Sequence, residues 1–292
     1  MKENGILTRG GSALRWVAAL AICALFLLPI LWVLSISLKP PDEWLAYPPR
    51  LVPAQTTLNN YVLLFRKGNP VGGISEMVSS AEPVTPAFLN SLLIVPIATL
   101  ASLIIGFLAS YGITRFQAGG ASLPLFVLTT RMFPPVAFAV PLLVYFRALG
   151  LIDTQLGLIL MYTGFTIAFS LWMMRGFIEG VPRHVEEAAI LDGASPWRVL
   201  FTITLPLVKG GLAATGLFVF ILNWTEFLLA QVFTSREAIT LPVQITRYTG
   251  AVGRFYGPMA ALGIVASIPV VIAGYLIQRH LVTGFTFGLV RK

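Results

Sequence analysis

The feature that most constrains this chain is where its charges are missing. Six long windows hold almost no Asp, Glu, Lys or Arg, and they place candidate helices at about residues 14–38, 86–114, 120–147, 154–175, 208–234 and 256–280. Each is long enough to cross a hydrocarbon core of about 30 Å as a helix, which takes roughly 20 residues. Backbone amides find no water in lipid, so helices are the economical way to span it. The expectation is an all-α integral membrane protein with six transmembrane helices in a single domain over residues 1–292.

Composition supports this and closes the other routes. Hydrophobic residues make up 57% and charged residues 11%, whereas soluble domains carry about 25% charge. Disordered chains are poor in apolar residues, and the lone Cys23 cannot pair within the chain. The net charge of +8 is spread among short loops without a dense patch. That pattern reads as basic flanks of membrane helices, with no nucleic-acid partner. The first span follows Lys2, Arg9 and Arg15, but its apolar run is too long for a secretory leader and no Ala-x-Ala site follows it. It reads as a retained helix.

Alternating crossings divide the basic residues between the two sides. Eleven fall on the side of the N-terminus and eight on the other, a weak bias that favours both termini inside. Residues 39–85 and 236–254 are then external. Thr85-Pro86 reads as the N-cap and first-turn proline of the second span. The main internal loop, about 175–209, is too long for a turn and has helical character of its own.

Within that loop, Glu186 and Glu187 precede Ala188, Ala189, Ile190 and Leu191, good helix material with acids where the dipole favours them. Gly193 suits a helix C-terminus that needs positive φ. Ser195-Pro196 restarts a helix, serine as N-cap and proline at the first position. The prediction is a helix, a glycine turn and a second helix. Its alanines admit close approach by a partner.

The spacing Glu187-Ala188-Ala189, three residues, Gly193, nine residues, Ile203, one residue, Leu205-Pro206 resembles the signature loop of permease subunits of binding-protein-dependent ABC importers. The Asp192-Gly193-Ala194 triplet, Asn90-Ser91 and the stretch Asn223-Trp224-Thr225-Glu226-Phe227 belong to the same resemblance, which covers nearly the whole chain. The subgroup it is most similar to is the carbohydrate importers, in particular the smaller maltose-transporter permease. The resemblance implies that residues about 182–206 form a coupling loop docking on an ATPase subunit. Glu187, Ala188, Ala189, Asp192, Gly193, Ile203, Leu205 and Pro206 would carry that contact, Glu187 as its charged group and Gly193 as a turn no side chain can occupy. It implies four kinds of partner: a second, different permease, two ATPase subunits, an external substrate-binding protein and membrane lipid. The solute class would be a sugar, polyol or small oligosaccharide, and the location the cytoplasmic membrane, with both termini cytosolic. The tail after the sixth span, 284–292, is similar in length and glycine content to a tail that in the maltose-type subgroup reaches between the ATPase subunits; here Phe287 and a basic end depart from that pattern.

The chain carries no P-loop, since none of its five lysines follows a glycine. ATP and Mg would therefore be bound by the partner ATPase, and no cofactor is expected here. His184 and His280 lack ligand-like neighbours, so no metal site is expected, and no nucleophile–base pair suggests an enzyme.

Two charges fall inside predicted spans, Arg131 and Glu226. Such groups face a cavity or a partner, so Arg131, Phe133, Trp224 and Glu226 are candidates for the translocation pathway. The alternative is that Arg131 and Glu226 pair with each other or with carbonyls to fix the bundle, and the structural role is favoured for Glu226. Pro134-Pro135 should break or kink the third span. Tyr111, Tyr162, Trp172 and Tyr275 read as packing or interface anchors rather than sugar-stacking groups. The rival function is an ion-gradient-driven secondary transporter, which predicts paired intramembrane carboxylates and an inverted repeat. Only Glu226 is available for the first, and no repeat is visible.

Overall fold

The computed structural model describes residues 7–66, 83–120, 122–250 and 253–286. Along the chain, α1 spans Leu7–Ser37, α2 Asn59–Phe65, α3 Val84–Phe116, α4 Leu123–Thr129, α5 Pro135–Ala148 and α6 Gln155–Glu179. Then come α7 at Arg183–Leu191, α8 at Pro196–Val199, a π-turn at Leu200–Thr204, α9 at Leu205–Leu207, α10 at Lys209–Trp224, α11 at Leu228–Phe233 and α12 at Leu241–Thr246. A two-residue antiparallel pair, Thr249–Gly250 with Gly253–Arg254, precedes α13 at Tyr256–Thr286. The architecture is otherwise helical, as expected.

Among the described residues, four helices are long and apolar enough to cross a membrane: Leu14–Ser37 within α1, α3, α6 and Tyr256–Gln278 within α13. The third window is broken, as its paired prolines predict, and the fifth, expected as a continuous span, is broken as well. In the third, α4 and α5 are 7 and 14 residues long, and 14 residues rise only about 21 Å. The break falls at Pro134-Pro135, as the prolines require: Pro134 caps α5 and Pro135 opens it, where a missing N–H costs nothing. In the fifth window α10 stops at Trp224 after 16 residues and the chain restarts at Leu228. Before it, the stretch Pro196–Leu207 meets α10 at 76°. The helix of the second window begins at Val84, so Thr85 lies inside it rather than capping it, while Pro86 falls in its first turn as expected. Pro29, Pro96 and Pro269 lie within α1, α3 and α13 without ending them.

The chain groups into two compact units. In the unit formed by residues up to Val84 with Ile245–Ser267, α1 is exposed on all sides from Leu14 to Leu31, and only its last turn, with Ser35 and Ser37, is buried. A helix apolar all round belongs in lipid or against another chain. Beyond its end the chain folds back on the last turn of α1. The Asn60 amide donates to the carbonyls of Ser37 and Lys39, both at 2.9 Å. Lys39 is buried, donates to the Arg50 carbonyl and lies 4.7 Å over the Trp32 ring.

The second unit, Thr85–Gln244 with Ile268–Lys292, is built on α3, α6 and α10. Small polar residues let the helices approach. The Ser102 and Ser170 hydroxyls bond at 2.7 Å, and the Asn223 amide donates to the Thr99 hydroxyl at 3.2 Å. Such pairs satisfy polar groups where no water reaches. At Gly211 a Cβ would fall 2.3 Å from the Phe177 ring, so only glycine allows that crossing. Away from the signature loop, residues 235–241 are pinned to this bundle. Asn90 donates to the carbonyls of Glu237 and Ile239 and accepts from Gln155, while Ser91 accepts from the Leu241 amide. Asn90-Ser91 is thus a clamp on the segment that leads into α12.

Candidate functional site

The signature loop folds as a helix, a glycine turn and a second helix. Gly193 adopts φ +85°. Its amide donates to Ile190 at 2.9 Å, and the Ala194 amide reaches back to Ala189 at 3.0 Å. These two bonds close a Schellman motif, which satisfies the last carbonyls of α7. The Ser195 hydroxyl accepts from the Arg198 amide and Pro196 opens α8. The following π-turn lies one residue ahead of Leu205-Pro206. Pro206 has no N–H, and its ring would crowd the Thr202 carbonyl in a regular helix, so the turn widens there.

The base of the loop is held by packing. Leu200 and Val208 are buried with Phe107 and Tyr111 of α3 and Met174, Ile178 and Val181 at the end of α6, and Leu205 packs against this cluster. The tip is solvent-facing. Glu187, Ala188, Asp192 and Gly193 are exposed, Ala189 and Ile203 are half-buried, and Pro206 is exposed. Around them lie exposed apolar side chains: Leu191 at 88%, with Ile190, Trp197 and Phe201. The Trp197 and Phe201 rings stack at 6.1 Å.

Glu186 behaves differently from its neighbour Glu187. It is 5% exposed and forms an ion pair with Arg115, Nε to Oε2 at 2.5 Å. Its Oε1 accepts from Thr204 at 2.6 Å and from Arg115 Nη2 at 3.3 Å. The same Arg115 nitrogen donates to the carbonyls of Ile178 and Val181, at 2.9 and 3.0 Å. Arg183 adds a bond to the Thr114 carbonyl at 3.1 Å. A cleft of about 540 Å³ opens beside this junction, with Arg175 and Glu179 paired on its wall. No local sequence pattern links Arg115, Glu186 and Thr204, which lie far apart along the chain.

The four pathway candidates do not form one cluster. Arg131 sits in the break between α4 and α5, its guanidinium 4.7 Å from the Phe169 ring and 5.5 Å from the Phe165 ring. Its Nη2 is enclosed and has no hydrogen-bond partner among the described residues. Phe133 is exposed, edge-on to Phe138 at 5.7 Å. Trp224 is 4% exposed and stacks on Phe220 at 5.5 Å. Glu226 does not meet Arg131. Its two oxygens accept the Leu229 and Ala230 amides at 2.9 and 3.1 Å, capping α11. Of the anchor aromatics, Tyr111 and Tyr162 are buried, whereas Trp172 and Tyr275 are exposed. Residues 287–292 of the tail lie outside the described residues.

Helices long and apolar enough to cross a membrane define an integral membrane protein, and comparison with known proteins gives the family. The chain belongs to the family described as "Binding-protein-dependent transport system inner membrane component", whose profile matches residues 102–286. It is similar to the trehalose transport system permease protein SugB of Mycobacterium tuberculosis, 34% identical over 270 residues, 91% of this chain and 92% of that one. It is also similar to the trehalose/maltose transport system permease protein MalG of Thermococcus litoralis, 33% identical over 94% of this chain and 95% of that one. Among solved structures, a bacterial ABC transporter that imports the acidic polysaccharide alginate shares the fold. Its TM-score is 0.74 at 21% identity, covering 96% of this chain and all of that one.

Proposed function

We propose that this chain is one permease half of an ATP-driven importer for a carbohydrate-type solute: a sugar, a polyol or a small oligosaccharide. It crosses the cytoplasmic membrane with both termini inside, and its broken third and fifth windows complete six spans with the four continuous helices. A second, different permease supplies the other half of the pathway. Two ATPase subunits, which bind ATP and Mg, dock below, one of them on residues about 182–206. An external binding protein delivers solute to the opposite face. ATP binding closes the ATPase dimer, the two permeases' docking segments move together and the cavity opens outward; hydrolysis resets it.

The observation that carries this reading is the exposed tip of the signature loop. Ile190 and Leu191 are apolar and exposed on α7, which is not among the candidate membrane helices, and Trp197 and Phe201 are exposed beside them at the start of the bent pair Pro196–Leu207 and Lys209–Trp224. Exposed apolar clusters of this kind mark protein contacts. Glu187 and Asp192 at the same tip supply charge for a basic partner, and the Schellman turn makes the tip stiff enough to be pushed. The sugar class is supported by the relatives, whose names specify trehalose and maltose.

The test is a pull-down of the tagged chain from detergent-solubilised membranes, wild type beside Gly193→Asp, with an ATPase assay of the eluate. ATPase that accompanies the wild type and is lost or uncoupled in the variant is the expected result. A chain that supports uptake but never brings down an ATPase would overturn the proposal and restore the gradient-driven alternative. Uptake by the reconstituted assembly from a panel of sugars and polyols then tests the solute class.

A further inference from the structure

We propose that the Arg115–Glu186–Thr204 junction is the rigid joint that carries displacement of the signature loop into the membrane helices. Arg115 and Glu186 are positioning residues for coupling, not contacts to the ATPase. This rests on the reading that the loop docks on an ATPase.

The argument starts from how little else holds α7. It is nine residues long, and Glu187, Ala188, Ile190 and Leu191 all face solvent. Glu186 is its one buried residue. A short helix pressed at an exposed tip tilts unless something fixes its base. Apolar side chains could fill that space, but apolar contacts are non-directional and let a helix slide. The Glu186 carboxylate instead pairs with the Arg115 guanidinium and accepts directional hydrogen bonds from Thr204 at 2.6 Å and from Arg115 Nη2 at 3.3 Å.

One guanidinium and one carboxylate here tie four elements together. Arg115 is at the end of α3, and its Nη2 reaches the carbonyls of Ile178 and Val181, where α6 ends. Glu186 is on α7, and Thr204 closes the π-turn that leads into α10. A push on α7 is therefore delivered to the ends of α3 and α6 and to the start of α10 at once. Burial removes the salt screening that would weaken the pair at a surface. Arg115 Nη2 is the donor shared between the carboxylate and the two carbonyls, on a planar guanidinium whose direction a flexible ammonium reproduces only in part. The two adjacent glutamates thus divide the work: Glu187 faces outward to the partner and Glu186 inward to the bundle.

The test uses the whole importer reconstituted in proteoliposomes, with its partner permease, ATPase and binding protein. Glu186→Gln keeps the side chain's size and an acceptor for Thr204 but removes the charge. Co-purification of the ATPase and its unstimulated rate should survive. Stimulation by solute-loaded binding protein, and solute moved per ATP, should fall by about tenfold, within the range of coupling between linked sites. Arg115→Met should match it and Arg115→Lys should fall between. The double variant Arg115→Met/Glu186→Leu replaces the pair by apolar groups, which restores folding, and should remain uncoupled. Full stimulation in Glu186→Gln and Arg115→Met would overturn the joint. So would a loss that follows only the amount of folded complex and is repaired by the apolar double variant. A wild-type chain that brings down no ATPase would instead overturn the docking reading itself, and the joint with it.

Discussion

The Asp153 carboxylate accepts both the amide and the hydroxyl of Ser235, at 3.0 and 2.9 Å. It also accepts the amides of Arg236, Glu237 and Ala238, while the Asp153 amide donates to Phe233. One side chain thereby organises four consecutive backbone donors of the segment after α11. Burial alone pushes this carboxyl up, but the four amides outweigh it and hold it at about 2, against an ordinary 3.8.

A carboxylate held below its unfolded value stabilises the fold above that value and loses its contribution as pH falls through the folded one. Asp153→Asn separates charge from shape, because asparagine tolerates the φ of +58° found here. The variant should melt below wild type at pH 7 in detergent. The gap should shrink as pH drops from about 4 towards about 2. Thermal scans across that range check it; a gap that stays constant with pH would show that the charge is irrelevant.

Gly193 holds φ +85° with open space where a Cβ would go. Its requirement within this chain is therefore conformational rather than steric. Gly193→Ala should cost about 1–2 kcal/mol, the price of a left-handed L-residue, and Gly193→Asn less. Hydrogen exchange of the amides of Gly193 and Ala194 reports this directly, since both bonds of the Schellman turn open when φ relaxes. Equal exchange in glycine and alanine forms would contradict the argument.

These features differ in how well local sequence could reveal them. Gly193, Ser195-Pro196 and Pro134-Pro135 act within a turn of their own backbone, so residue type is enough to place them. The break after Trp224 has no proline or glycine to announce it; it is set by Glu226 capping the next helix. Arg115 with Glu186, and Asp153 with residues 235–238, are joined across 71 and 82–85 positions, where periodicity carries no information. Trp224 was legible as an intramembrane aromatic but not as a buried one. Where a helix is apolar on every face, the pattern does not say which face meets protein.

Glu226 separates a structural role from a pathway role. Removing its two capping bonds by Glu226→Ala should cost about 1 kcal/mol, as other N-terminal caps do. Uptake per folded transporter should be unchanged. A variant with wild-type stability and lost uptake would put Glu226 back in the pathway.

Trp224 and Arg131 should respond in opposite ways. Trp224 is enclosed and stacked on Phe220, so Trp224→Ala should destabilise by about 3–5 kcal/mol and leave apparent solute affinity unaltered in the protein that folds. Arg131, seated on Phe165 and Phe169 with an enclosed nitrogen unsatisfied, should alter uptake when changed to Ala with little loss of melting temperature. Measuring melting and uptake affinity on both variants checks the pair; the reverse assignment of effects would refute it.

At Gly106 a Cβ would lie 2.4 Å from the Ser170 Cβ and 2.9 Å from the Leu171 backbone nitrogen. Backbone cannot swing aside as a flexible side chain can, so Gly106→Ala must push α3 from α6. That displacement also stretches the Ser102–Ser170 hydroxyl bond, 2.7 Å in the native packing. Overpacking of this kind costs about 1–3 kcal/mol. The companion Ser170→Gly removes the obstructing Cβ and should recover part of the loss in Gly106→Ala, although it gives up the hydroxyl bond. Melting temperatures of the two single variants and the double variant form a cycle that isolates the contact. Purely additive losses would mean that α3 and α6 do not meet at this crossing.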